Sequence, residues 1–323
     1  MRIINFSNHE MDLNKFHSNM IEFKRFLEKY KLDGIEFING GNLEFNPFDS
    51  NMIKGMHLSY WPMWIDFWKE DKESLKRQFN NEENVKKYYG GDNRSSIINH
   101  YKKEIEFAVK NKVHYVVLHV AHVEIEHCYN YKFTYTDKEV VDATIEFCNE
   151  VFPKEDLGFT LLFENLWWPG LKLNDTKLID KIMTEVNYTN KGIMLDIGHL
   201  MNTNLDIANE REGIEYIFHI LKNLQHRKEL IKGIHLNSSV SGEYVKQCIK
   251  EGTSGKLSED FWKDFYGVFS HIGKIDNHKP FLNEDIIKII EYINPKYLVY
   301  EFITSNLDEL EEKIKLQNKV LKI

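Results

Sequence analysis

The sequence contains few cysteines and few prolines. Its three cysteines, Cys128, Cys148 and Cys248, are widely spaced and form no Cys-x-x-Cys motif, which argues against a disulfide framework and a thiolate metal site. Only 6 prolines interrupt the 323 residues, and no stretch has the composition of a linker. Residues 2–7 have the pattern of a strand and not of a signal peptide. We therefore expect one domain over residues 1–323, in a reducing cytoplasm.

Long apolar runs and an excess of positive charge are also missing. No run approaches the roughly 20 apolar residues of a membrane span, so we expect no membrane partner. The formal net charge is −8, and no loop near the predicted site is rich in lysine or arginine. Such a chain is not expected to hold long nucleic acid by its overall field, although bound metal ions could make one pocket positive. We expect a small-molecule partner.

Seven short apolar runs end in a histidine, an aspartate or a glutamate. They are residues 34–36, 55–57, 115–119, 160–164, 192–196, 233–235 and 297–301, and residues 2–7 supply an eighth strand. Short continuous apolar runs are typical of strands that are buried on both faces. Amphipathic segments of helical length lie between most of them, at 17–30, 97–110, 137–150, 175–186, 210–230, 284–293 and 306–321. This alternation predicts an α/β fold, a single (β/α)8 TIM barrel.

Two connections are longer than usual. Residues 61–96 follow the third strand, and residues 238–280 follow the seventh. Both come after the carboxyl ends of strands, where barrels build their active sites, so we expect functional loops there. The second one leaves open whether it forms a lid or the contact of a homodimer.

Four of the strand-end residues belong to consecutive units of the predicted barrel. They are Glu164, Asp196, His235 and Glu301. The carboxyl ends of parallel barrel strands meet on one rim, so these side chains should converge. Three carboxylates and one imidazole suit Zn²⁺ or Mn²⁺. Each residue alone could equally be a cap or an ion-pair partner, but four in succession predict a metal site.

Three short motifs carry a resemblance to a known superfamily. Phe-Glu-Asn at residues 163–165, Leu-Asp-Ile-Gly-His at 195–199 and Gly-Ile-His-Leu-Asn at 233–237 resemble motifs of the xylose isomerase-like TIM barrels. That superfamily includes sugar and sugar-phosphate isomerases and epimerases, and the endonuclease IV-like proteins of AP endonuclease family 2. The resemblance implies the same barrel, but it leaves the activity open because one fold hosts several chemistries.

The resemblance to endonuclease IV extends to a full set of ligands for three zinc ions. It implies that metal ions are bound by His57, His119, Glu164, Asp196, His199, His235, Asp276, His278 and Glu301. It also implies that Glu164 bridges two ions, and that Glu164 and Glu301 are the catalytic carboxylates. The activity then expected is hydrolysis of a phosphoester in a small sugar- or nucleotide-containing substrate, with two or three Zn²⁺ ions.

Other functions remain open at this stage. His199, Asp276 and His278 could bind substrate instead of a third ion. A sugar or sugar-phosphate isomerase or epimerase would use a single divalent ion, with Mn²⁺ as one choice. However, Leu166 stands where xylose isomerases have a lysine, and no arginine closely follows His235 as in tagatose 3-epimerases. An AP-site DNA endonuclease is less favoured, and a barrel that only binds carbohydrate is the non-enzymatic alternative.

Several polar and aromatic residues beside the candidate ligands are predicted to contact substrate. They are Tyr60, Asn165, Trp167, Trp168, Asn237 and Glu36. For Glu36 we favour the alternative that it orients a metal ligand, because such ligands need hydrogen-bonding partners. His122 is predicted to serve loop packing.

Overall fold

Eight parallel strands form a closed barrel in the computed structural model, which describes residues 1–253, 257–258 and 260–323. The strands are β1 (Arg2–Ser7), β2 (Gly34–Ile38), β3 (Ile53–His57), β4 (Tyr115–His119), β5 (Thr160–Glu164), β6 (Lys191–Asp196), β7 (Ile231–Leu236) and β8 (Tyr297–Tyr300). Each strand pairs with the next along the chain, and β8 pairs with β1. The predicted (β/α)8 barrel is confirmed.

Helices connect the strands around the outside of the barrel. Within the described residues they are α1 (Glu10–Asn14), α2 (Met20–Lys29), α3 (Trp64–Trp68), α4 (Lys72–Phe79), α5 (Glu82–Tyr89), α6 (Ser95–Asn111), α7 (Ile125–Asn130), α8 (Asp137–Val151), α9 (Thr176–Glu185), α10 (Ile197–Asn202), α11 (Glu210–Leu224), α12 (Gly242–Glu251), α13 (Phe261–Ile275), α14 (Ile286–Ile293) and α15 (Leu307–Leu321). A 3₁₀ helix, Gln225–Leu230, follows α11. None of these helices is long and apolar enough to cross a membrane.

Helix starts follow local capping rules. Thr136 and Glu139 form a reciprocal capping box at the start of α8. Asp175 accepts hydrogen bonds from two backbone N–H groups at the start of α9. These caps satisfy N–H groups that have no partner inside the helix, and they explain why the two helices begin within one residue of their predicted positions.

The long connections after β3 and β7 contain helices. Residues 61–96 include α3, α4 and α5, and residues 238–280 include α12 and α13, while 254–256 and 259 lie outside the described residues. Asp71 and Asn81 cap α4 and α5. Both helices bury apolar side chains four residues apart, which places those side chains on one helix face. The connections are therefore packed structures and not open loops.

Apolar side chains fill the barrel and cover its outside. The interior cluster consists of Ile3, Tyr115, Val117, Leu162, Met194, Tyr297 and Val299. A larger core lies between the strands and the helices. A further apolar cluster, which includes Trp167 and Trp168, joins α7, α12 and α13 to the segment after β5. The three cysteines are buried and unpaired.

Three strand ends differ from the prediction. β2 continues two residues beyond Glu36, β7 continues one residue beyond His235, and β8 ends one residue before Glu301. Glu36 is thus inside its strand and fully buried. A carboxylate at that depth needs hydrogen-bond donors, and His235 and Tyr115 supply them.

Candidate metal centre

Glu164, at the end of β5, is the central carboxylate of the site. Its Oε2 atom lies 3.0 Å from Nε2 of His57 and 3.1 Å from Nε2 of His119. Its Oε1 atom lies 3.2 Å from Nδ1 of His235 and 3.2 Å from Nδ1 of His199. Burial opposes ionisation, but the neighbouring histidine rings outweigh it and hold the pKa of Glu164 well below its usual value. One side chain therefore joins histidines from four separate segments.

The first group consists of His57, His119 and Glu164, whose candidate ligand atoms all lie within 4.8 Å of one another. Burial lowers the pKa of His57, but the hydrogen bond and charge of Glu164 outweigh burial and raise that pKa to about 9. At His119 burial dominates and lowers the pKa. The ends of β3, β4 and β5 thus bring two imidazole rings to the Oε2 atom of Glu164.

The second group consists of Glu164, Asp196, His235 and Glu301. Nδ1 of His235 lies 3.2 Å from Glu164, 3.3 Å from Glu301 and 3.8 Å from Asp196. The Asn237 amide donates to Asp196 at 2.8 Å and to Glu301 at 3.2 Å. Burial raises the pKa of Asp196 well above its usual value, whereas at Glu301 the charge of His235 outweighs burial and lowers the pKa. This crowding of carboxylates is costly without a bound cation.

Glu36 lies behind His235, on the side away from the other carboxylates. Its oxygens are 3.0 and 3.1 Å from Nε2 of His235, and the Tyr115 hydroxyl donates to it at 2.7 Å. Nε2–H of His235 therefore donates to Glu36, which leaves Nδ1 directed at the second group. This geometry favours the orienting role of Glu36 over the substrate contact.

The third group consists of His199, Asp276 and His278. Oδ2 of Asp276 lies 3.2 Å from Nε2 of His199 and 2.6 Å from Nε2 of His278. Burial lowers the pKa of His278, but Asp276 outweighs it and raises that pKa to about 10. The two histidines likewise overcome the effect of burial on Asp276 and lower its pKa. His278 has a left-handed backbone, with φ of 46°.

Histidine tautomers provide a test of whether these groups suit a metal ion. In His57, His199 and His278, Nδ1 lies 3.0, 2.9 and 3.1 Å from a backbone carbonyl oxygen. Nδ1–H donates to that carbonyl, so in the neutral ring Nε2 presents a lone pair, and in the protonated ring it carries the second proton. Each of these Nε2 atoms faces a carboxylate oxygen of Glu164 or Asp276. Such an arrangement requires a proton or a metal ion between the two atoms, and imidazole with carboxylate suits Zn²⁺ and Mn²⁺.

The aromatic residues predicted to contact substrate border the first and third groups. The Tyr60 ring centroid lies 4.6 Å from that of His119, and the Trp167 centroid lies 5.0 Å from that of His199. Trp168 packs on Trp167 at 4.4 Å. The Tyr60 hydroxyl and both indole N–H groups have no hydrogen-bond partner among the described residues. Tyr60 lines a small cavity together with His119, whereas Trp167 and Trp168 are buried in the apolar cluster after β5, and the substrate contacts of all three stay predictions.

The two asparagines have a different environment from the one predicted. Asn165 exchanges two hydrogen bonds with the backbone of Asp196, at 3.0 and 3.1 Å, so both ends of its amide are occupied. Asn237 donates to two carboxylates of the second group, and its Oδ1 atom has no partner among the described residues. The Asn165 side chain holds Asp196 in place, and its substrate contact stays a prediction.

The sequence of this barrel matches a known family. A family model described as xylose isomerase-like TIM barrel matches residues 90–285, which is more than half of the chain. The chain belongs to the xylose isomerase-like TIM barrel family. All the predicted metal ligands except His57 and Glu301 lie inside the matched segment. No curated protein is significantly similar in sequence.

Solved structures share this family fold at low sequence identity. AsfvAP:AG is 14% identical with a TM-score of 0.54, and the match covers 94% of this chain and 90% of that one. The IOLI protein with a bound zinc atom is 15% identical with a TM-score of 0.53, covering 99% and 96%. The E. coli 3-keto-D-glucoside 4-epimerase YcjR is 13% identical with a TM-score of 0.51, covering 100% of both chains. These similarities establish the fold alone.

One further group of titratable residues was missed from the sequence. Asp66, His122 and Glu124 are buried close together. Their carboxylates already accept hydrogen bonds, Asp66 from Gln78 and Glu124 from Arg77. Because these contacts join α3 and α4 to the segment after β4, they fit the packing role predicted for His122. The residues do not end strands, so the strand-end pattern could not reveal them.

Gly198 allows the close approach of α10 to Asn237. A Cβ atom at this position would lie 1.9 Å from Oδ1 of Asn237. We expect Gly198→Ala to displace Asn237 from Asp196 and Glu301. If the second group binds zinc, its affinity should fall by about 10- to 100-fold, the usual effect of losing a partner of metal ligands. Competition with a zinc chelator measures this change. Gly267→Ala is the control, because no atom lies near a Cβ there, and equal zinc affinity in both variants would contradict the expectation.

Proposed function

We propose that this protein hydrolyses a phosphoester in a small sugar- or nucleotide-containing substrate, with three divalent cations. The supporting observation is that three groups of ligand-type side chains lie together, and Glu164 belongs to two of them. Three divalent ions would face the carboxylates of Glu164, Asp196, Asp276 and Glu301, so the positive charge would exceed the negative charge. Such a site attracts an anionic phosphate.

Different residues of the chain would have different roles in hydrolysis. Divalent ions held here would neutralise charge on phosphate oxygens and lower the pKa of a nearby water. Glu164 would fix the spacing of the first and second groups. Glu301 is more exposed than Glu164 or Asp196, so it is the carboxylate best placed to take a proton as water attacks phosphorus. The P–O bond to the leaving group would then break, and the leaving oxygen would take up the proton that Glu301 accepted, directly or through water.

Isomerisation or epimerisation of a sugar or sugar phosphate is the second candidate. The second group alone contains three carboxylates and one imidazole, enough for a single Zn²⁺ or Mn²⁺. Glu164 and Glu301 would then orient the ion and move protons between adjacent carbons. The fold is shared with the epimerase YcjR. The third group would then bind substrate instead of an ion, but the first group would have no evident purpose in this reaction.

Metal content measured together with turnover tests the proposal. We expect the zinc-loaded chain to retain about three ions in elemental analysis and to hydrolyse bis(4-nitrophenyl) phosphate. Chelation should abolish the hydrolysis, and added zinc should restore it. One ion per chain without zinc-dependent hydrolysis would contradict the proposal. Exchange of a carbon-bound sugar hydrogen with deuterated water would then favour the isomerase.

A further inference from the structure

A pocket of about 240 Å³ opens on the carboxyl-terminal face of the barrel, and none of the candidate metal ligands lines it. The end of β1, helix α1 and residues 302–304 line it. This volume falls just below the roughly 300–1,000 Å³ of pockets that hold drug-sized ligands. The pocket thus has room for a single sugar ring.

The pocket adjoins the candidate metal centre through two strands. Phe302 lines the pocket and directly follows Glu301 in the chain. Asn5 also lines it, accepts a hydrogen bond from the Phe302 backbone at 3.2 Å, and pairs in register with Glu36. Since Glu36 contacts His235, the pocket begins one strand away from the second group. A substrate with its phosphate at the metal groups could extend into it.

Lys15 gives the pocket a directed hydrogen-bond donor. Its Nζ atom lies 2.7 Å from Oδ1 of Asp12 and 2.8 Å from Oγ1 of Thr304, and the side chain is only 7% exposed. An ammonium group carries three N–H bonds, so two are engaged and one remains for a ligand. The Asp12 carboxylate neutralises the charge of Lys15 and would repel a second phosphate. The pair instead suits a hydroxyl group, which can both donate and accept.

Apolar side chains border the same pocket. Met11 is 67% exposed and Ile303 is 60% exposed, although both line the cavity. Apolar edges around a few placed polar groups are typical of small-molecule sites. A sugar ring presents C–H groups on its faces and hydroxyls at its edge, so it matches both parts of the pocket.

We propose that this pocket binds the neutral, hydroxylated part of the substrate, a single sugar ring with one hydroxyl hydrogen-bonded to Lys15. The inference rests on the proposed function, because it places the phosphate of the same molecule at the metal groups. Lys15 and Thr304 then determine specificity, and neither belongs to the metal groups. The substrate class becomes a monosaccharide phosphate or a phosphodiester of one sugar.

Binding of sugar phosphates to the zinc-loaded chain tests this pocket. The probes are inorganic phosphate, D-ribose 5-phosphate, D-glucose 6-phosphate and D-fructose 6-phosphate, measured by calorimetry. We expect at least one sugar phosphate to bind more tightly than phosphate by about 10- to 100-fold, the range for a hydrogen bond to a charged group. Lys15→Met and Thr304→Val should remove this gain and leave the affinity for inorganic phosphate unchanged.

Lys313→Met provides the matched control. Lys313 donates to the Ile303 carbonyl at 2.7 Å, so it holds the same segment without lining the pocket. The proposal is overturned if no sugar phosphate binds more tightly than phosphate, if the gain survives in Lys15→Met and Thr304→Val, or if Lys313→Met removes it equally. If inorganic phosphate itself fails to bind, the phosphoesterase function fails. D-Ribose, D-glucose and D-fructose then probe the pocket alone, and their binding must depend on Lys15 for it to stand.

Discussion

Replacing Glu164 by glutamine is expected to remove most of the metal from the chain and to lower phosphoester hydrolysis by about 10³-fold or more. Glu164 contributes oxygens to the first and second groups, so one substitution affects both. A glutamine amide is neutral, offers one oxygen, and turns its NH₂ group towards imidazole nitrogens. Elemental analysis and thermal unfolding in zinc measure the loss. Ligands at 1,000 times their dissociation constant stabilise a protein by about 4 kcal/mol, and this stabilisation should largely disappear.

Glu104→Gln is the matched control for that substitution. Glu104 is fully buried, accepts hydrogen bonds from the backbone and the hydroxyl of Ser59, and belongs to none of the three groups. We expect it to change stability but to leave zinc content and turnover intact. If Glu164→Gln retained three ions and normal turnover, the shared carboxylate would have no role in metal binding.

Replacing Asp276 by asparagine is the second substitution with a large expected effect, because it distinguishes the two candidate functions. Asp276 holds both histidines of the third group, so its loss should lower the zinc content from about three ions to about two. Phosphoester hydrolysis should fall by about 10²- to 10³-fold, as when one charge-stabilising group is removed from an active site. An isomerase that used the second group alone would keep its turnover.

Asn277→Ala controls for disturbance of the backbone around Asp276. The Asn277 side chain donates to carbonyl groups at the end of α13, away from the third group. We expect unchanged zinc content and turnover in this variant. Three ions and full hydrolysis in Asp276→Asn would show that the third group binds no essential cation.

Much of the barrel could be predicted because two sequence features mark its strands: a short apolar run and a charged residue at the end of that run. Residues 161–163 are apolar and precede the charged Glu164, and residues 192–195 are apolar or glycine and precede the charged Asp196. Burial on both faces produces the apolar run, and the rim of the barrel allows the polar residue at its end. The same pattern predicts that the four residues of the second group converge on the rim of the barrel.

Other features depend on contacts that no local pattern reveals. Glu36 occupies a strand interior because His235 and Tyr115 meet it there, and those partners are distant in sequence. Asn165 was predicted to contact substrate, yet its amide is used by the Asp196 backbone. The pocket beside Lys15 forms only where β1 and β8 close the barrel, so its lining comes from opposite ends of the chain.

The left-handed backbone at His278 makes this position depend on the contacts of its ring. A residue with a Cβ atom in this conformation costs on the order of 1–2 kcal/mol, and glycine costs almost nothing. The imidazole offsets that cost through its contacts with Asp276 and the Glu301 carbonyl, and its removal would leave the buried Asp276 with one imidazole partner instead of two. We therefore expect His278→Gly to lower thermal stability even without metal, although it relieves the backbone.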